Sequence, residues 1–319
     1  MNKRIIFMGT PAFAVASLNA LLEAGMEVAA VVTAPDRPAG RGRQLRMSAV
    51  KERALELGLP VLQPEKLKAP DFLAQLDELD ASLYIVVAFR MLPEVVWRKP
   101  QRGTVNLHAS LLPNYRGAAP INWALINGEA RTGVTTFFIN DKIDTGDILL
   151  REEVDIRPED NAGSLHDRLM TVGADLLVRT AKDLLDNTSS RTPQALVAGD
   201  TGLREAPKLT PANCMIDWNW DAQRVHNHVR GLSPYPGAWT RWHEEGTPGR
   251  QMKVLGTKLP AKTGGHVTPG TVLIANERIE VQCGDGPIEI TQLQMEGKRP
   301  MGSSDFLRGL QRRASFSVG

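Results

Sequence analysis

The opening of the chain constrains its fold most. Residues 4–8 form a short apolar run, Gly9-Thr10-Pro11 breaks it, and apolar residues then recur at Ala14, Leu18, Leu21 and Leu22 up to Gly25. A period of two followed by a period near 3.6 predicts a strand, a turn and a helix. The same alternation continues downstream. Apolar, β-branched runs at 28–32, 83–88 and 104–107 predict buried strands, 134–139 and 148–154 read as later strands, and a helix closes at Gly58. A long amphipathic helix over 165–185 carries Leu165, Leu169, Val172, Leu176 and Leu177 on one face. Strands alternating with helices imply an α/β domain with a parallel sheet covered by helices.

Beyond that helix the pattern changes. Residues 190–206 are rich in Ser, Thr, Pro, Gly and charge without a sustained period, and are expected to form a linker. From 207 a short helix (221–229) precedes short β-rich pieces at 252–255, 270–274, 279–283 and 288–293, separated by Gly, Pro and Asn. That spacing suggests a small barrel or sandwich. The expected domains are therefore 1–189 and 207–319. A length of 319 residues suits two domains, each large enough to bury its own core.

Several function classes drop out. No apolar run approaches the roughly 20 residues of a membrane span, and the apolar stretch after Lys3-Arg4 is too short for a signal-peptide core. The expectation is a cytoplasmic protein without a membrane partner. Two cysteines, Cys214 and Cys283, make neither a disulfide framework nor a four-cysteine zinc site, and the scattered histidines lack ligand spacing, so no metal is expected. The first turn, with Pro11 and Phe13, obstructs the close backbone approach a dinucleotide requires.

The net charge of +2 is unevenly spread. From Pro207 onward 14 Lys and Arg stand against 10 Asp and Glu. More pointedly, residues 37–51 hold Arg37, Arg41, Arg43, Arg46 and Lys51 with no acidic residue among them, a pattern suited to phosphates.

Two motifs carry chemistry. Asn106 and His108 lie two apart at the end of a predicted strand, so both side chains point to one face. An amide beside an imidazole suits carbonyl chemistry: the amide stabilises oxygen charge and the imidazole moves protons. The run Asp141 to Asp147 follows a later strand, and Asp144 within it is the carboxylate expected to orient His108 and stabilise its charged form.

Asn106-Leu107-His108, Ser110-Leu111-Leu112-Pro113, Tyr115-Arg116-Gly117-Ala118-Ala119-Pro120 and Asp144-Thr145-Gly146-Asp147 together resemble the folate-dependent formyltransferases. The resemblance extends over nearly the whole chain, including Gly9-Thr10-Pro11, the basic loop and a second domain after a linker. It implies a Rossmann-like formyltransferase domain followed by a β-barrel resembling an OB fold. The implied activity, in translation initiation, is transfer of formyl from 10-formyltetrahydrofolate to the methionine α-amine of initiator methionyl-tRNA. In that scheme Asn106, His108 and Asp144 are catalytic, Ser110, Leu111, Leu112 and Pro113 line the folate site, and Arg37, Arg41, Arg43, Arg46 and Lys51 meet the tRNA. An amino sugar nucleotide as acceptor, and a non-catalytic RNA-binding role on the same fold, are the alternatives that the sequence leaves open.

Overall fold

The computed structural model describes residues 2–39, 44–197, 202–244, 248–260, 267–275, 277–310 and 316–319. Two compact units emerge. The first comprises 1–117, 132–155 and 166–205; the second comprises 118–131, 156–165 and 206–319. Elements are numbered in chain order.

The first unit is built on a seven-stranded sheet. Its strands are β1 (Ile5–Gly9), β2 (Val28–Val32), β5 (Val61–Leu62), β6 (Leu83–Val87), β7 (Thr104–His108), β9 (Arg131–Phe138) and β10 (Ile148–Asp155), in the order β10-β9-β7-β6-β1-β2-β5. β3 (Arg37–Ala39) and β4 (Gln44–Arg46) make a separate antiparallel hairpin, and β8 (Arg116–Gly117) and β11 (Glu205–Ala206) are two-residue strands. β1 and β6 are buried along their whole length, which explains their unbroken apolar sequences: a strand covered on both faces has no polar side.

Pairing from β5 through β7 is parallel, but β7 and β9 run antiparallel, matching Asn106 with Phe137 and His108 with Thr135. The expected parallel sheet is therefore parallel in its body, with a reversed strand beyond β7. Hydrophobic periodicity reports which strands are buried and is blind to their direction. Strand order reverses at β1/β6, and the carboxyl ends beside such a switch point are where open α/β sheets hold ligands. β7 delivers His108 to that edge.

The helices of this unit are α1 (Ala12–Glu23), α2 (Ala49–Glu56), α3 (Pro70–Glu78), α4 (Glu94–Trp97) and, from His166 onward, α6 (Ala162–Asp186). At Gly9 a Cβ would lie 2.6 Å from that of Ala14, so the glycine permits the sharp strand-to-helix turn. At Gly173 of α6 a Cβ would meet Leu107 at 3.0 Å. The helix thus lies close on β7 beneath the residues of interest, and Thr180 adds a 2.7 Å hydroxyl bond to Thr136.

The second unit contains α5 (Pro120–Ile126), α7 (Ala222–Leu232), α8 (Ser303–Arg308) and an antiparallel sheet. Its strands are β12 (Ala238–Glu244), β13 (Arg250–Lys258), β14 (Val272–Ala275), β15 (Arg278–Gln282), β16 (Pro287–Met295), β17 (Met301–Gly302) and β18 (Phe316–Val318). The order is β14-β15-β16-β13-β12-β18, and a bridge between Thr271 and Ser317 brings the two ends together into a nearly closed barrel. Alternate residues point inward: Trp242, Met252, Val254, Ile279, Val281, Ile288, Ile290 and Leu293 are all essentially inaccessible. Asp221 caps α7 by accepting the Arg224 N–H at 2.7 Å.

Both thiols are free and buried, and burial pushes Cys283 up to about 12. Among the described residues no helix is long and apolar enough to cross a membrane.

Candidate active site

His108 ends β7 and is buried. Its Nε2 lies 2.8 Å from the Tyr115 carbonyl. A carbonyl only accepts, so Nε2 carries the hydrogen and Nδ1 is left as the basic nitrogen. That nitrogen faces Asp144, whose Oδ2 is 3.7 Å away. The ring is therefore oriented by the Tyr115 backbone, while Asp144 stands at ion-pair range without a hydrogen bond to it. Asn106, half-buried two residues back on the strand, spends no hydrogen bond of its carboxamide on any described residue. The structure thus gathers one free amide, one basic imidazole nitrogen and one carboxylate at the end of a central strand.

Backbone strain marks the same place. Tyr115 has φ +60°, Asp144 +52° and Ala88, just past β6, +47°. Side chains with a Cβ adopt this left-handed region at a cost, and such residues cluster where function demands a fixed geometry. Asp144 is held by the Gly117 N–H, which donates to Oδ2 at 2.9 Å. Gln194 secures the same loop from below, a role with no sequence signature because it lies within the Pro- and Ser-bearing stretch expected to be a linker.

Ser110, Leu112 and Pro113 are buried and Leu111 is half-buried. Their backbone is pinned to the neighbouring strand: Thr135 Oγ1 donates to the Ser110 carbonyl at 2.7 Å and accepts the Leu112 N–H at 3.1 Å. Ser110 Oγ donates to the Asn114 carbonyl at 2.7 Å, and Arg151 donates to the Leu112 carbonyl at 3.2 Å. Leu112 packs with Phe137 and Ile148. These four residues form a rigid shelf directly after His108.

Of the basic residues, Arg37 and Arg46 pair across the β3–β4 hairpin and are exposed. Lys51, at 17% side-chain exposure, is bound to Asp36 at 2.5 Å and so braces the hairpin against α2. That bond and the Gln63 amide hold the Asp36 carboxyl below its usual range. Arg41 and Arg43 lie outside the described residues.

In the second unit a groove of about 920 Å³ is lined by Trp123, Trp218, Trp220, Arg224 and His228, among others. Burial drives His228 down to about 4, and its ring packs edge-on against Trp220 at 5.1 Å. Among the described residues no group of three or more His, Cys, Asp or Glu is arranged to hold a metal ion.

The chain is similar to known proteins over nearly its full length. Residues 3–181 match the formyl transferase family and residues 208–311 the formyl transferase C-terminal domain. A Parabacteroides distasonis protein named methionyl-tRNA formyltransferase is 49% identical, the match covering 99% of this chain and 98% of that one. One of the same name from Flavobacterium johnsoniae is 47% identical over 96% of both. Among solved structures, WlaRD, a sugar 3N-formyl transferase crystallised with dTDP and 5-N-formyl-THF, superposes with TM-score 0.66 at 18% identity, covering 94% of this chain and all of that one. HypX from Aquifex aeolicus, in complex with tetrahydrofolic acid, gives 0.64 at 19% over 96% of this chain, which spans about half of the HypX chain. At such identities these two structures speak for the fold alone, whereas the matches over nearly the full length place the chain firmly: it belongs to the formyl transferase family.

Proposed function

We propose that this chain transfers the formyl group of 10-formyltetrahydrofolate to the methionine α-amine of initiator methionyl-tRNA, in the cytoplasm, as a step of translation initiation. The observation that carries the proposal is 47–49% identity, over nearly all of both chains, to proteins bearing the name methionyl-tRNA formyltransferase. The residues at the end of β7 fit a formyl donor: the unengaged Asn106 amide and the Nδ1 of His108 are the donor and base that a carbonyl under attack by an amine requires.

When bound, the folate supplies the formyl carbon; a C–N bond to the amine forms there and the C–N bond to the folate breaks. Asn106 donates an N–H to the formyl oxygen as negative charge builds on it. His108 takes at Nδ1 the proton that the amine loses, and returns it to the departing folate nitrogen. Asp144, 3.7 Å from Nδ1, favours the arrival of that proton electrostatically. The nucleophile belongs to the acceptor, so the chain needs no nucleophilic side chain of its own.

The shelf from Ser110 to Pro113 lines the folate site, with the half-buried Leu111 as its apolar contact. On the acceptor side, Arg37 and Arg46, with Arg41 and Arg43 between them, meet tRNA phosphates. Lys51 keeps the hairpin's base in place through Asp36.

Supplying the protein with 10-formyltetrahydrofolate and, in parallel, initiator methionyl-tRNA, an elongator methionyl-tRNA and an amino sugar nucleotide tests this assignment. Formylation of the initiator species with little turnover of the other two is expected. Preferential formylation of the sugar nucleotide would replace the proposal with the other acceptor class, and tRNA binding without turnover would leave only an RNA-binding role.

A further inference from the structure

Gln194 is 4% exposed, and each hydrogen-bonding position of its carboxamide is used. Nε2 donates to the Asp144 carbonyl at 2.9 Å and to the Gly146 carbonyl at 2.8 Å. Oε1 accepts from Arg116 Nε at 3.0 Å and from Nη2 at 2.6 Å. Arg116 directly precedes Gly117, whose N–H holds the Asp144 carboxylate. A closed ring results: the carboxylate is fixed through Gly117, the backbone beneath it through Gln194, and Gln194 through Arg116. Asp144 needs such a ring, because its φ of +52° persists only where the surroundings impose it.

We infer that Gln194 is a positioning residue for formyl transfer, clamping the Asp144–Gly146 backbone so that the Asp144 carboxylate stays beside His108 Nδ1. The inference rests on the assignment of Asp144 and His108 made above. Gln194→Glu keeps the side-chain length and the Arg116 partner, but sets a carboxylate oxygen against two carbonyl oxygens. Gln194→Met keeps the bulk and removes all four bonds, a change that a residue serving only to fill space tolerates.

The test measures kcat, KM for 10-formyltetrahydrofolate and for initiator methionyl-tRNA, thermal midpoint, and amide hydrogen exchange over residues 140–147. It compares the parent with Gln194→Glu, Gln194→Met and Asp144→Asn, well below each melting midpoint. In both Gln194 variants kcat should fall about 10- to 100-fold while both KM values stay within about twofold, the signature of misplaced machinery and not lost binding. Exchange over 140–147 should quicken while β1 and β6 keep their protection. Parental kcat in either folded Gln194 variant would overturn the inference, as would a loss confined to KM. Should Gln194→Met fail to fold, Gln194→Glu and Arg116→Met, which removes only the bonds to Oε1, decide the matter by the same criteria. Parental kcat in Asp144→Asn would instead bring down the underlying site assignment, so the two failures are distinguishable.

Discussion

A methyl group at position 146 should disable the site without touching any reacting group. A Cβ built on Gly146 would lie 1.7 Å from the Phe138 carbonyl oxygen and 2.8 Å from its carbon, both backbone atoms in a buried strand. Ordinary contact begins near 3.4 Å, so the loop carrying Asp144 must retreat by about 1.7 Å, since the strand is the stiffer partner. Moving Asp144 Oδ2 from 3.7 Å to about 5.4 Å from His108 Nδ1 lowers their attraction by about 1.4 kcal/mol at an effective dielectric near 20, a factor of about ten in rate. Misalignment on this scale raises the total towards about a hundredfold. Gly146→Ala is therefore expected to lower kcat by about 10- to 100-fold with KM for the folate little changed. Gly202→Ala, where an added Cβ meets nothing within 4 Å, serves as the control and should match the parent. The assay is formyl transfer at saturating tRNA, with circular dichroism melting of each variant. Parental kcat and midpoint in Gly146→Ala would refute both the tight seat of the loop and its importance.

Other consequences follow from particular contacts. Thr135→Val leaves the Ser110 carbonyl and the Leu112 N–H without their buried partner, so it should cost about 1–3 kcal/mol in urea unfolding and raise KM for the folate as the shelf slackens; an unchanged KM would separate the shelf from the folate. His228 is held down to about 4, below the ordinary 6.5, so its effect on stability is absent above pH 6.5. As pH falls from 6.5 towards 4 the unfolded chain takes up a proton that the folded one refuses, and stability drops by up to about 3 kcal/mol. His228→Phe should remove most of that drop in unfolding of the second unit at pH 7 and pH 4.5, and equal pH dependence would contradict the account. Replacing the exposed Arg37 and Arg46 by Ala should weaken tRNA affinity and flatten its salt dependence, while folate binding stays as in the parent; an identical salt slope would make the hairpin a plain solvated surface.

How far the sequence revealed this molecule differs from element to element. β1 and β6 were legible because burial on both faces leaves an unbroken apolar string, and Asn106 and His108 because a two-residue offset on a strand implies a shared face. The barrel strands β13, β15 and β16 announced themselves by alternation between Gly and Pro breaks. β12 did not, because Arg241, His243 and Glu244 dilute its alternation to a few inward residues, Ala238, Thr240 and Trp242. The reversal of β9 could not be read, since direction leaves no mark on periodicity. The orientation of His108 by a backbone carbonyl was also hidden: a carbonyl is available from any residue, and only the turn at Tyr115 aims it. Gln194 illustrates the same limit, its task being fixed by where the fold brings it and not by its neighbours in sequence. The family motifs nonetheless marked the loop it clamps.

If chemistry occurs at the His108 imidazole, with the folate and tRNA held by other groups, removing that ring must slow transfer without weakening binding. Rapid-quench single turnover, with 10-formyltetrahydrofolate and initiator methionyl-tRNA both saturating, compares the parent with His108→Ala, and equilibrium titration measures the affinity for each ligand. The transfer rate should fall by about 10²- to 10⁴-fold with both affinities within about twofold of the parent. A parental transfer rate in His108→Ala, at parental affinities, would contradict it.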